Sequence, residues 1–214
     1  MLKVISFDMD GTLVVKNFAD AVWFEGIPKL YARRFDLPFE RALEEVKRAY
    51  DEVGPSRIEW YDIKYWFRRF NLGSGWAELL ERYRNLAEPY PEVPAILEKL
   101  GRKYSLIIVS AAAREFINLA IGDTSLSRFF VKSFSAISDF GLIGKQPELF
   151  SRVCQDLCVK PQELLHVGDH VHHDFEVPRK AGVRTILLDR DGEADSSDVI
   201  HSLDELPPRL ESLS

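Results

Sequence analysis

Short apolar runs separated by long amphipathic stretches organise this chain. Residues 3–8 form the first run, and "YSLIIVSAAA" at 104–113, "FFVKSFSAIS" at 129–138, "ELLHVGD" at 163–169 and "VRTILLD" at 183–189 form four more. The first is a β-branched and aromatic run, which predicts a buried strand, and the others read as further strands. Helical periodicity fills the intervals. In "PELFSRVCQDLC", Pro147 suits a first helical turn, and Phe150, Val153, Cys154 and Leu157 align on one face. Strands alternating with helices predict an α/β fold, a doubly wound parallel sheet with helices on both sides.

The block at 16–89 breaks that alternation, being helical in pattern throughout with no convincing strand. It predicts an inserted α-helical domain, leaving 1–15 and 90–214 to build the sheet domain. "LPFERALEEVKRAYDEVG" has Pro38 near its start and Gly54 as its stop. Trp60, Ile63, Phe67 and Phe70 fall on one predicted helical face, and Gly26 with Pro28 predicts a break or bend in the block's first helix. Trp23, Trp60, Trp66 and Trp76 all lie here, as expected for the filling of a small bundle. "EPYPEVP", with Pro89, Pro91 and Pro94, marks the return crossing as a hinge.

Composition narrows the partners. With 46% apolar residues in 214 the chain can bury a real core, and a formal net charge of −6 is the wrong sign for nucleic acid or anionic lipid. The block is charge-balanced, so the negative excess lies in the sheet domain. Cys154 and Cys158 are four apart on the predicted helix, without further ligands to complete a zinc framework. Two unpaired thiols, no apolar run of membrane-spanning length and an N-terminus unlike a signal peptide predict a cytoplasmic protein with no membrane partner, a monomer or homodimer.

In a doubly wound sheet, ligands bind beyond the carboxyl ends of the strands. Asp8, Asp10, Gly11 and Thr12 follow the first run, Ser110 the second, and Asp169 and Asp174 the fourth, while Lys145 precedes a helix. Each alone is ordinary, since an Asp there is commonly a helix cap and a Ser a turn former. Together they assemble carboxylates, a hydroxyl and an ammonium at one edge. Lys16, Arg33, Arg34 and Arg57 could meet an acidic substrate, but solvated helix faces are the preferred account of them. His170, His172 and His173 leave two readings open, ligands for a softer metal or a rim that tunes pH dependence.

"DMDGTLV", "IIVSA", "GLIGKQP" and "HVGDHVHHD" resemble the four successive motifs of the haloacid dehalogenase (HAD) superfamily, and the likeness runs from Phe7 to Asp189. It implies a Rossmannoid core, with 16–89 as a helical cap of the C1 type; the short interval from Ser110 to Lys145 leaves no room for the other cap. It further implies an Mg²⁺-dependent phosphatase acting on a small phosphorylated metabolite. On that likeness Asp8 is the nucleophile that becomes an aspartyl phosphate and Asp10 the general acid and base. Ser110 and Lys145 hold the phosphoryl oxygens, with Gly11 and Thr12 also at the phosphate, Gly11 allowing a tight turn and Thr12 holding the carboxylates by hydrogen bonding. Asp8, the Asp10 carbonyl and Asp169 hold the metal, and Asp174 stands behind them orienting water or Lys145. A cation is chemically necessary, because each like-charged pair at 4 Å costs about 4 kcal/mol at an effective dielectric near 20, and an all-oxygen ligand set favours Mg²⁺.

Two places depart from the pattern. Val15-Lys16 stands where many relatives carry Asp-Ser, and "EVPRKAG" is unlike the small-residue helix usual after the fourth motif. The acid at Asp10 disfavours dehalogenation and phosphonate cleavage. A phosphomutase uses the same motifs and is the second enzymatic expectation; a non-catalytic phosphate- or metal-binding regulatory module is the alternative from another class.

Overall fold

The computed structural model describes residues 1–122, 125–192 and 196–212; the last two residues of the predicted sheet domain lie outside them. Six strands form one sheet: β1 (Val4–Phe7), β2 (Ser105–Ser110), β3 (Phe130–Ser135), β4 (Leu164–Gly168), β5 (Arg184–Leu188) and β6 (Val199–Ile200), in the order β3-β2-β1-β4-β5-β6. Every pairing is parallel. The order reverses direction between β1 and β4, the switch point at which crossovers diverge and leave a crevice. The five predicted strands are present. β6 was not predicted, because two residues carry no readable period; it joins the edge through Leu188↔Ile200.

β1 is buried at all four positions, with β2 on one side and β4 on the other. Ile5, Phe7, Ile108, Leu165 and Val167 join one apolar cluster. Val4, Ile107, Val109 and Leu164 join another, packed with Leu149, Phe150, Val153 and Cys154. Coverage on both faces is why these strands read as continuous apolar runs.

Between β1 and β2 the chain is helical: α1 (Asn17–Ala21), a π-helical segment Val22–Gly26, α2 (Ile27–Phe35), α3 (Phe39–Val53), α4 (Ile63–Arg69), α5 (Trp76–Tyr83) and, beyond the return crossing, α6 (Val93–Gly101). Gly54 stops α3 as predicted. Gly26 and Pro28 do not break the first helix. Pro28 lacks the amide hydrogen of an α-helical turn, and the chain widens into the π segment, with the Ile27 N–H on the Val22 carbonyl, before continuing as α2. Trp60 is likewise not on the α4 face; it sits in a 3₁₀ turn, Ile58–Tyr61, and its carbonyl accepts from Trp66 Nε1 at 3.1 Å.

Trp66 is fully buried at the centre of this bundle, 4.6 Å from Tyr50 and 5.4 Å from Phe70 between ring centroids. Replacing Trp66 by Ala is expected to destabilise the helical insertion by about 3–5 kcal/mol, measured as a lower denaturation midpoint. The remaining helices flank the sheet: α7 (Arg114–Ile117), α8 (Ala136–Phe140), α9 (Pro147–Asp156), α10 (Val177–Lys180) and α11 (Leu206–Ser212). Cys154 packs within α9, whereas Cys158 lies past its end, exposed, at φ 54°. The two thiols therefore do not share a helix face.

The two strands of chain linking the insertion to the sheet are tied together. Val15 N–H donates to Glu88 O at 2.9 Å and Tyr90 N–H to Leu13 O at 3.1 Å. Arg190, after β5, fastens this pair from below: its guanidinium donates to Gly11 O and Thr12 O, pairs with Glu92 at 2.8 Å and lies 3.5 Å over the Tyr90 ring.

Candidate active site

β1 ends at Phe7, and the Asp8 N–H extends the ladder by donating to Val167 O at 2.9 Å. Asp8 thus leaves the sheet at the switch point, beside Asp169 at the end of β4. The chain then turns at Gly11, with φ 84° and its N–H on Val14 O at 2.7 Å. A side chain there would collide with the Lys16 stem and the Asp169 carboxylate, so the turn requires glycine both for its dihedral and for space.

Asp8, Asp10, Ser110, Lys145, Asp169 and Asp174 line one open cleft of about 200 Å³, together with Lys16, Ala111, Ala112, His170 and His173. The scattered strand ends therefore meet. Gly11 and Thr12 do not line the cleft; Thr12 is buried and its hydroxyl donates to Asp169 Oδ1 at 3.3 Å. Ser110 is buried at the end of β2, its Oγ accepting from the Ala112 N–H at 3.0 Å. A larger cavity of about 440 Å³ opens at the amino ends of the strands, beside Met1, Lys103, Tyr104 and Arg184, with no carboxylate among its described lining residues.

Lys145 is almost wholly buried, and its ammonium pairs with Asp8 Oδ1 at 2.5 Å and with Asp174 Oδ1. Burial opposes its charge, but the two carboxylates hold its pKa above the ordinary lysine value. Asp174 is buried too, which works against ionisation, yet Lys145 and His166 outweigh this and lower its pKa. Both its oxygens are taken: Oδ1 also meets His166 Nε2 at 3.0 Å, and Oδ2 accepts from the His170 N–H at 3.0 Å. A Cβ at residue 168 would collide with this carboxylate, which accounts for Gly168.

Burial raises Asp8 to a pKa of about 8; Lys145 opposes the rise, and Asp174 and Asp169 add to it. Burial also raises Asp10 to about 6, and its Oδ1 is buried without a hydrogen-bond partner. These acids are short of positive charge. Asp8, Asp169 and Asp174 each offer an oxygen, all within 4.8 Å of one another. Lys16 Nζ sits 2.6 Å from Asp169 Oδ2. An all-oxygen donor set with surplus negative charge fits a hard divalent cation.

Among the described residues the histidines are not part of that donor group. His172 pairs with Glu176 at 2.9 Å, His170 Nδ1 accepts from the His173 N–H, and His170 and His173 stand at the cleft wall. Of the four cations considered for an acidic substrate, Lys16 alone lines the cleft; Arg33, Arg34 and Arg57 are exposed elsewhere. His166 and Arg190 were not anticipated. Their signal was faint, a polar residue inside an apolar strand and an arginine just past another.

The sequence profile of the haloacid dehalogenase-like hydrolases matches residues 2–182. The chain belongs to this family of hydrolases. It is 30% identical over 192 residues to the pyrophosphatase PpaX of Bacillus cereus, covering 87% of this chain and 83% of that one. The fold of this HAD-family chain superposes on a HAD phosphatase from Thermococcus onnurineus with a TM-score of 0.82 at 24% identity, covering 98% of each. It also superposes on a 2-haloacid dehalogenase from Pseudomonas syringae with a TM-score of 0.74 at 24% identity over the whole of both chains. No helix among the described residues is long and apolar enough to cross a membrane.

Proposed function

We propose that this hydrolase is an Mg²⁺-dependent phosphatase of small phosphorylated metabolites, working through an aspartyl phosphate on Asp8. The observation that carries this reading is the unlike pair of carboxyls on one cleft. Asp8 is hydrogen-bonded to an ammonium, and Asp10 is half-buried, its Oδ1 enclosed without a hydrogen-bond partner among the described residues and its pKa shifted to about 6. A group that titrates near neutrality serves both as acid and as base.

An Asp8 oxygen attacks phosphorus, and the bond from phosphorus to the leaving oxygen breaks as Asp10 delivers its proton to that oxygen. Asp10, now a carboxylate, takes a proton from water whose oxygen attacks the same phosphorus, releasing inorganic phosphate and restoring Asp8. Lys145 and Ser110 hold the phosphoryl oxygens. Asp8, Asp169 and the Asp10 carbonyl would hold Mg²⁺, with Asp174 behind them keeping Lys145 in place. When bound, the ion offsets charge on the phosphoryl group and favours ionised Asp8. Residues 16–89 serve as a cap that closes on the tied linkers and excludes bulk water.

The relationship to PpaX adds the phosphoric anhydride to the substrates worth testing. Phosphate release should be measured from p-nitrophenyl phosphate, pyrophosphate and a panel of phosphorylated metabolites. Turnover is expected with Mg²⁺, falling at least about 100-fold on chelation and returning on its readdition. Turnover indifferent to chelation, or none with any phosphate ester or anhydride, contradicts the proposal.

A further inference from the structure

Beneath the cleft, β4 carries a buried histidine that the proposed chemistry does not use. His166 is fully buried, with the Phe150 ring edge-on at 4.9 Å, and it is paired in register with Ser6 of β1. Both ring nitrogens have partners. Ser6 Oγ lies 2.8 Å from Nδ1, and Asp174 Oδ1 lies 3.0 Å from Nε2. A buried polar ring inside an apolar strand is costly unless both nitrogens are satisfied.

The partners decide where the proton sits. An ionised carboxylate only accepts, so Nε2 must carry a hydrogen in either charge state of the ring. The Ser6 hydroxyl can donate or accept, so it satisfies Nδ1 by donating to the neutral ring, in preference to its longer contact with Leu165 O at 3.2 Å. The opposite tautomer would aim a lone pair at Asp174. The oxygen that receives Nε2–H is also the one that receives the Lys145 ammonium, and that ammonium bridges to Asp8. A continuous path thus runs from Ser6 through His166, Asp174 and Lys145 to Asp8. In it, the His170 N–H holds Asp174 Oδ2 while His166 holds Oδ1, the oxygen that carries the lysine.

We propose that His166 is a positioning residue: its Nε2–H fixes Asp174 Oδ1, and through that oxygen holds the Lys145 ammonium against Asp8. The catalytic consequence rests on the reading of Asp8 as nucleophile, but the placement of Lys145 does not. His166 touches no substrate, and its effect is on the orientation of a group that does.

Two replacements separate orientation from packing. His166→Met fills the volume and removes the donor, whereas His166→Gln can present an amide N–H to Asp174. With p-nitrophenyl phosphate and Mg²⁺, His166→Met is expected to lose about 10- to 100-fold in kcat with KM changed less than about 3-fold, and His166→Gln to recover most of the loss. Independently of turnover, nitrogen NMR of the unmodified protein should show His166 protonated at Nε2. The Lys145 ammonium signal should move in His166→Met and stay near its original position in His166→Gln. A proton on Nδ1 alone, or an unmoved Lys145 signal in His166→Met, overturns the inference. So does equal loss of kcat in both variants while both keep the fold. If the unmodified protein turns over no phosphate compound, the phosphatase reading fails, and the NMR measurements still decide the role of His166.

Discussion

Asp8→Asn is expected to abolish turnover, by about 10⁴-fold or more, and at the same time to stabilise the metal-free protein. The first effect follows from the proposed covalent step, because an amide oxygen cannot form and release an acyl phosphate as a carboxylate does. The second follows from the electrostatics. Burial lifts Asp8 to a pKa of about 8, so the folded state binds its proton more tightly than the unfolded chain does. Stability contributed by this group is therefore present at low pH and lost as pH rises from the ordinary carboxylate range through about 8. Asn removes the penalty, keeps an acceptor for Lys145, and should gain about 1 kcal/mol at neutral pH, or a few degrees in Tm. Thermal melts between pH 5 and 8 in chelator should show the gain widening with pH. A variant less stable than the parent across that range would contradict the assignment of Asp8 as an acid whose charge burial disfavours.

Asp10→Asn should lower kcat by about 10²- to 10⁴-fold on an alkyl phosphate. The loss should be much smaller for p-nitrophenyl phosphate in the first step, since p-nitrophenolate departs without a proton. Asp10 is suited to the task by burial, which raises it to about 6. Rapid-quench kinetics resolve the two steps. An initial burst of p-nitrophenolate followed by slow steady turnover is expected for Asp10→Asn, because water attack on the acyl phosphate still needs the base. Equal losses on both substrates with no burst would remove Asp10 from proton transfer.

Much of the scaffold was legible because its physics is local. Strands sealed on both faces leave continuous apolar runs, and the carboxyl ends of β1, β2 and β4 are where Asp8, Ser110 and Asp169 were expected to converge. They share one cleft with Lys145 and Asp174. What escaped the sequence depends on tertiary contact. β6 is two residues long and exists through its pairing with β5. Gly26 and Pro28 were read as a break or bend, and the helix there passes through a π segment before continuing. Cys158 leaves the helix face through a left-handed residue that no period reveals. Thr12 was expected to hold the carboxylates by hydrogen bonding, and its hydroxyl does donate to Asp169, although it does not line the cleft. Lys16 read as an ordinary solvated lysine, but the Gly11 turn leaves space for its stem to reach Asp169. His166 has one partner nearby, Asp174, and one far away in sequence, Ser6, while those of Arg190, Gly11, Thr12, Tyr90 and Glu92, are all distant.

The central claim is that Asp8 accepts the phosphoryl group, and a crystal structure with Mg²⁺ and fluoroberyllate tests it most directly. The account predicts beryllium bonded to a carboxylate oxygen of Asp8, its fluorines facing Ser110 and Lys145, and the ion against Asp169. Beryllium on Asp10 or outside this cleft, with Asp8 still paired only to Lys145, would contradict it.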